Sequence, residues 1–167
     1  MNETYLHAEW QRWLGKHGPA LLLFARQQTA REPDAQDLVQ DAVVEAWQRQ
    51  GAGEPPPLPL VFATIRRRAV DLARRQERRA QRERAALEPD SVAWFDPPLE
   101  DREMSQLLQQ ALAQLPATQR EVITLKLWGG LTFAEIAATL DLPPNTAASR
   151  YRYGLEALRR LTREVLA

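Results

Sequence analysis

Residues 131–150 constrain the fold more than any other stretch of this chain. Thr132 and Glu135 have the spacing of a capping box, in which a hydroxyl and a carboxylate satisfy each other's backbone N–H groups. Ile136 and Leu140 put an apolar face behind that helix start. Asp141-Leu142-Pro143-Pro144 then ends the helix, because a residue before proline is pushed out of the α region. Proline is tolerated in the first turn of a helix, so a new one starts at about Pro144 or Asn145. Two helix starts so close together, across so short a turn, predict a helix-turn-helix.

The second of these helices is polar where a core helix would be aliphatic. Asn145, Thr146, Ser149, Arg150, Arg152 and Tyr153 lie near its start and suit phosphate oxygens and base edges in a major groove. Arg120, in the segment leading into the motif, joins them as a candidate DNA contact. Leu155, Leu158 and Leu161 supply the buried side.

With 167 residues the chain has room for one large domain or two small ones. Formal net charge is zero, which argues against a simple basic nucleic-acid coat, but the charge is unevenly spread. Residues 61–84 hold nine arginines against three carboxylates, a net +6, and no lysine. Residues 85–121 hold two arginines against seven carboxylates, a net −5. Arginine is the side chain that pairs bidentately with phosphate and stacks on bases. Arg66, Arg67, Arg68, Arg74 and Arg75 are the candidates for that work.

The helical periods place elements at about residues 5–16, 20–29, 34–49 and 60 to beyond 79. Gly15, Gly18 and Pro19 are expected to separate the first two, and a Pro/Gly loop covers residues 51–59. The inner face of the third is Leu38, Ala42, Val43, Ala46 and Trp47. Further helices are expected at about 100–115, 117–128, 132–140 and 144–165. No strand pattern stands out. The expectation is an all-α chain in two bundles of about four helices each. A first domain covers 1–84, an acidic, proline-bearing linker 85–99, and a helix-turn-helix domain 100–167. Trp94 and Phe95 are out of place in a free linker and should dock on a domain or a partner.

Zero cysteines exclude disulfides and thiolate metal sites. No apolar run approaches the roughly 18 residues that span a bilayer, and no signal peptide is visible, so a cytoplasmic chain without membrane insertion is expected. His7 and His17 lack partner ligands, and neither a carboxylate pair with a nucleophile nor a Gly-rich phosphate loop is present. No enzyme chemistry, metal or cofactor is expected.

Asp34, Asp37 and Asp41 recur at i, i+3 and i+7, forming one acidic stripe with Gln40 beside it. The helix dipole favours acids in a first turn, which covers Asp34 and Asp37 but not Asp41. The segment from Pro33-Asp34-Ala35-Gln36-Asp37-Leu38-Val39-Gln40-Asp41 to Ala46-Trp47 resembles region 2 of bacterial extracytoplasmic-function sigma factors. Phe62-Ala63-Thr64-Ile65 to Ala69-Val70-Asp71-Leu72-Ala73-Arg74-Arg75 resembles the helix that follows there, and residues 115–160 resemble region 4. The order and spacing of the three match the family as well.

The resemblance implies that Asp34, Asp37, Gln40 and Asp41 meet a coiled coil of the largest subunit of core RNA polymerase. It implies that the arginine helix and the preceding loop hold the melted promoter element with a base extruded, and that region 4 reads a duplex element farther upstream. Promoter DNA and core polymerase are the implied partners, together with an anti-sigma factor. Three positions depart from the family pattern. Val61 replaces a tryptophan, Arg68 an asparagine, and Ala148 a basic residue that commonly meets DNA. Two rivals share part of the pattern: a stand-alone helix-turn-helix regulator and a helical adaptor that binds only protein. The acidic stripe discriminates against the first, whereas Ala148 favours the second.

Overall fold

In a computed structural model, the protein is described over residues 3–51, 53–83, 92–96 and 99–166. These residues form seven α-helices and one short 3-10 turn, with no strand among them. Chain contacts divide the molecule into unit 1, Met1–Val92, and unit 2, Ala93–Ala167. Within the stretch expected to be a linker, residues 85–91, 97 and 98 lie outside the described residues.

Unit 1 contains α1 (Glu3–Gln28), α2 (Glu32–Gln50) and α3 (Leu58–Glu83). The break expected at Gly15, Gly18 and Pro19 does not occur, so two expected helices are one. Gly18 has no Cβ to collide with the proline ring, and the residue before Pro19 therefore stays helical. Pro19 and Gly15 are both exposed, so the carbonyl that loses its donor faces water. Leu21, Leu23, Phe24 and Ala25 then bury the second half of α1.

The core of unit 1 packs those residues against Ala35, Leu38, Ala42 and Ala46 of α2 and Val61, Phe62 and Ile65 of α3. Phe24 and Phe62 meet edge to face, 5.4 Å between ring centres. Small side chains on α2 allow the helices to approach closely. The buried face of α2 is narrower than its sequence implies. Val43 is only half-buried, and Trp47 is 46% exposed. Trp47 lies one residue, about 100° of helix, past the Ala42–Ala46 line, and its ring meets Trp10 of α1 at 6.3 Å. At the α1–α2 corner, Arg26 donates to both Glu32 oxygens, at 2.9 Å from Nε and 2.7 Å from Nη2.

Unit 2 contains α4 (Arg102–Gln114), α5 (Ala117–Leu127), α6 (Phe133–Leu140) and α7 (Pro144–Leu166). Ala111, Leu112, Leu115, Ile123 and Leu158 form a buried cluster on which Trp94 and Phe95 pack. Those two aromatics therefore belong to the unit 2 core, with Phe95 5.6 Å from the Trp128 ring. Where α7 crosses α5, a Cβ on Gly154 would stand 2.8 Å from Ile123 Cδ1. Only glycine permits this approach without a shift.

The capping box is present in full. Thr132 Oγ1 accepts from the Glu135 N–H at 3.1 Å, and Glu135 Oε1 accepts from the Thr132 N–H at 3.0 Å. Asp141 closes α6 in the left-handed region, φ 56°, one residue before the Leu142-Pro143-Pro144 turn into α7.

Candidate nucleic-acid interface

On α2, Asp37, Gln40 and Asp41 are exposed, whereas Asp34 is half-buried and accepts from Gln76 Nε2 at 3.1 Å. The acidic stripe does not stand apart from the arginine helix. Asp37 and Asp41 share a cleft of about 410 Å³ with Arg67, Arg68 and Arg75 of α3. Thus Asp34, Asp37 and Asp41 of the candidate polymerase-contacting residues, and three of the five candidate strand-contacting arginines, border one cleft. Of the other two, Arg74 is exposed and Arg66 is half-buried.

Glu45, which sequence reasoning missed, organises this cleft. It accepts from Arg67 Nη2 at 2.5 Å and from Arg68 Nε at 2.8 Å. Hydrogen bonding from Arg67, and less so from Arg68, holds its carboxyl below the usual range against the opposing effect of burial. Arg49 reaches the same carboxylate from α2. Glu45 continues the Asp34–Asp37–Asp41 stripe by one further turn, so its place on that face was legible; its arginine partners across the cleft were not.

In unit 2 the start of α7 presents Asn145, Arg152 and Tyr153 as exposed side chains, with Thr146, Ser149 and Arg150 half-buried. Ala147 is fully buried and anchors this turn. The Arg152 guanidinium lies 5.0 Å from the Tyr153 ring centre. Pro144 has no N–H, and the Thr146 and Ala147 N–H groups donate to the Pro143 carbonyl at 3.0 and 3.2 Å, so side chains and the helix dipole are what this start offers an anion.

Arg120 is engaged inside unit 2 instead. Its guanidinium donates toward the Leu115 and Ala113 carbonyls, at 3.4 and 3.5 Å, and covers the Trp94 ring. Burial lowers its pKa from the ordinary value, with Glu121 opposing. The expectation that placed Arg120 with the DNA contacts missed these partners, because Trp94 lies far away in sequence.

The sigma-70 region 2 family model matches residues 13–79, and the sigma-70 region 4 model matches residues 105–165. Over 128 residues the chain is 31% identical to the ECF RNA polymerase sigma factor RpoE of Cereibacter sphaeroides, covering 75% of this chain and 70% of that one. The chain belongs to the ECF RNA polymerase sigma factors. The sigma factor SigL of Mycobacterium tuberculosis is 28% identical over 158 residues, covering 90% of this chain and 86% of the relative. Among solved structures, the sigma factor RpoE of Bartonella quintana, in complex with the anti-sigma factor NepR, matches with a TM-score of 0.74. It is 28% identical, over 92% of this chain and 96% of that one. In this ECF sigma factor, region 2 takes in most of α1, all of α2 and most of α3, while region 4 spans α4 to α7.

Among the described residues no helix is long and apolar enough to cross a membrane. Nor does any group of three His, Cys, Asp or Glu among them have an arrangement that could hold a metal ion.

Proposed function

We propose that this ECF sigma factor binds core RNA polymerase through the exposed Asp37–Gln40–Asp41 face of α2, with Asp34 beside it. Arg66, Arg67, Arg68, Arg74 and Arg75 of α3 neutralise phosphates of the melted promoter strand, which makes binding strongly salt-dependent. Bases unstacked from that strand are received by the loop before α3, residues 51–57, where extrusion of a base must be offset by contacts in a pocket. The start of α7, through Asn145, Thr146, Ser149, Arg150, Arg152 and Tyr153, reads duplex DNA in the major groove. Two domains carry these tasks, one over residues 1–84 and one over 100–167, the second completed by Trp94 and Phe95 from the segment between them.

The sigma factor supplies no catalytic group of its own; polymerase performs the chemistry, in the cytoplasm. The RpoE structure in complex with NepR supports a further element, an anti-sigma partner that holds this chain inactive. One observation carries the reading: the same chain joins an exposed acidic α2 stripe to a helix-turn-helix whose second helix starts with polar and cationic side chains.

The test is transcription by purified core polymerase, with and without this chain, from the DNA upstream of its own gene. A transcript with a single start that depends on the chain is expected. Core polymerase that neither binds the chain nor starts at a defined site with it would overturn the reading.

A further inference from the structure

Three guanidinium groups converge on one carboxylate in unit 1. Glu45 Oε1 lies 2.5 Å from Arg67 Nη2 and 3.1 Å from Arg49 Nη2. Glu45 Oε2 lies 2.8 Å from both Nε and Nη2 of Arg68, a two-pronged contact. Arg68 Nη1 is in turn 3.7 Å from Asp41 Oδ2. The Glu45 side chain is 17% exposed, against 56%, 50% and 38% for Arg49, Arg67 and Arg68. The carboxylate sits underneath and the cations face solvent.

A bridge that merely ties α2 to α3 needs less than this. The two helices are already joined through their buried faces, and solvent at the arginine ends weakens what these pairs add to stability. Arg49, Arg67 and Arg68 outnumber the two carboxylates they touch, Glu45 and Asp41, while Asp34, Asp37 and Asp71 also line the cleft. A carboxylate held in arginine forks makes the same charge-assisted bonds as a phosphate.

We propose that Glu45 is a built-in competitor for DNA phosphate, holding Arg67, Arg68 and Arg49 until the melted strand displaces it. The inference rests on reading α3 as the strand-holding surface, and it adds Arg49 from α2 to that surface. Asp41 extends the device, because its carboxylate is shared between Arg68 and the stripe assigned to polymerase. A basic group of core polymerase that takes Asp41 loosens Arg68 and prepares it for DNA. Binding of core and binding of the strand are then coupled through one ion-pair cluster.

The test titrates the full chain, without core polymerase, into a fluorescent single-stranded oligonucleotide at several salt concentrations. Glu45→Gln should tighten binding about tenfold and steepen the salt slope by about 1.4, as two more phosphates are contacted at about 0.7 each. Glu77→Gln, exposed on the same helix, removes one negative charge elsewhere and should tighten binding by less than about threefold. Asp41→Asn should tighten it by an intermediate factor. Removing Arg67 and Arg68 together, as Arg67→Ala with Arg68→Ala, should weaken binding and cancel the effect of Glu45→Gln.

If Glu45→Gln binds no better than Glu77→Gln, competition by Glu45 is overturned. If the double arginine variant leaves affinity unchanged, the strand-holding role of α3 fails first, a distinct outcome. Should Glu45→Gln not fold, Glu45→Asp keeps the charge but withdraws the carboxylate. It should still tighten binding, and no tightening overturns the proposal.

Discussion

The Arg120 guanidinium lies over the face of Trp94, 5.4 Å from the ring centre. The Trp94 backbone N–H donates to Gln109 Oε1 at 2.9 Å, so this residue is held by α4 and α5 at once. Residues just before the first helix of unit 2 thus complete its core, and Arg120 is positioned by them. Cation–π contact and burial of the indole both contribute.

Trp94→Ala should therefore destabilise unit 2 although it lies outside every helix. A fully buried aromatic truncated to alanine costs about 3–5 kcal/mol; for half-buried Trp94 the loss should be roughly 2 kcal/mol. Urea unfolding of the full chain, followed by helical circular dichroism, measures it. A change near zero would show that the docked aromatic contributes no stability.

Glu32 makes unit 1 sensitive to acid. Hydrogen bonding from Arg26 is the main cause that holds its carboxyl below the ordinary value of 4.5, with burial opposing and Gln36 assisting. A depressed folded pKa stabilises the fold above the unfolded value, and that contribution is lost as pH falls through the folded pKa. Glu32→Gln removes the carboxylate to which the Arg26 guanidinium, only 8% exposed, donates from both Nε and Nη2. It should cost about 1–2 kcal/mol at pH 7, with the gap to the parent chain closing below about pH 4. A gap that stays constant with pH would contradict the ion pair's role.

Gly154 sets how closely α7 approaches α5. A Cβ there would meet Ile123 Cδ1, which can shift, and Gln119 Cβ at 3.2 Å, which cannot do so cheaply. Gly154→Ala should be close to neutral, since a gain of about 1 kcal/mol in helix propensity offsets the crowding. Gly154→Val adds further bulk and should cost about 1–3 kcal/mol. Thermal unfolding of the two variants separates them.

Ala148 stands half-buried on α7 between Thr146 and Arg150, without a charge of its own. Ala148→Lys should raise affinity for duplex promoter DNA and steepen its salt slope by about 0.9, one added phosphate contact. Stability should change by no more than about 0.5 kcal/mol. An unchanged slope would place this turn of α7 away from the DNA backbone.

What could be read from sequence was what local chemistry decides. Thr132, Glu135 and the Pro143-Pro144 pair specify the helix-turn-helix through contacts a few residues apart, and the structure forms both hydrogen bonds of the cap. The acidic stripe was legible for the same reason, since helical period alone puts Asp37 and Asp41 on one face. Pro19 misled because a proline's effect depends on its neighbours: glycine before it and water beside it let α1 continue. Trp47 misled because hydrophobicity does not reveal how narrow a face alanines will bury. Glu45 with Arg67, and Arg120 with Trp94, join residues more than twenty positions apart, and no local pattern marks such pairs.

The most direct test of the central claim is the affinity of core RNA polymerase for the chain carrying Asp37→Arg and Asp41→Arg. Both aspartates are exposed and the Asp41–Arg68 pair is long, at 3.7 Å, so the variant should keep its helical content and lose little stability. Core affinity should fall by about tenfold or more, on the order of 1.4 kcal/mol, with a matching loss of promoter-specific transcript. A folded double variant that binds core polymerase as tightly as the parent chain would contradict the assignment of α2 as the polymerase-binding surface.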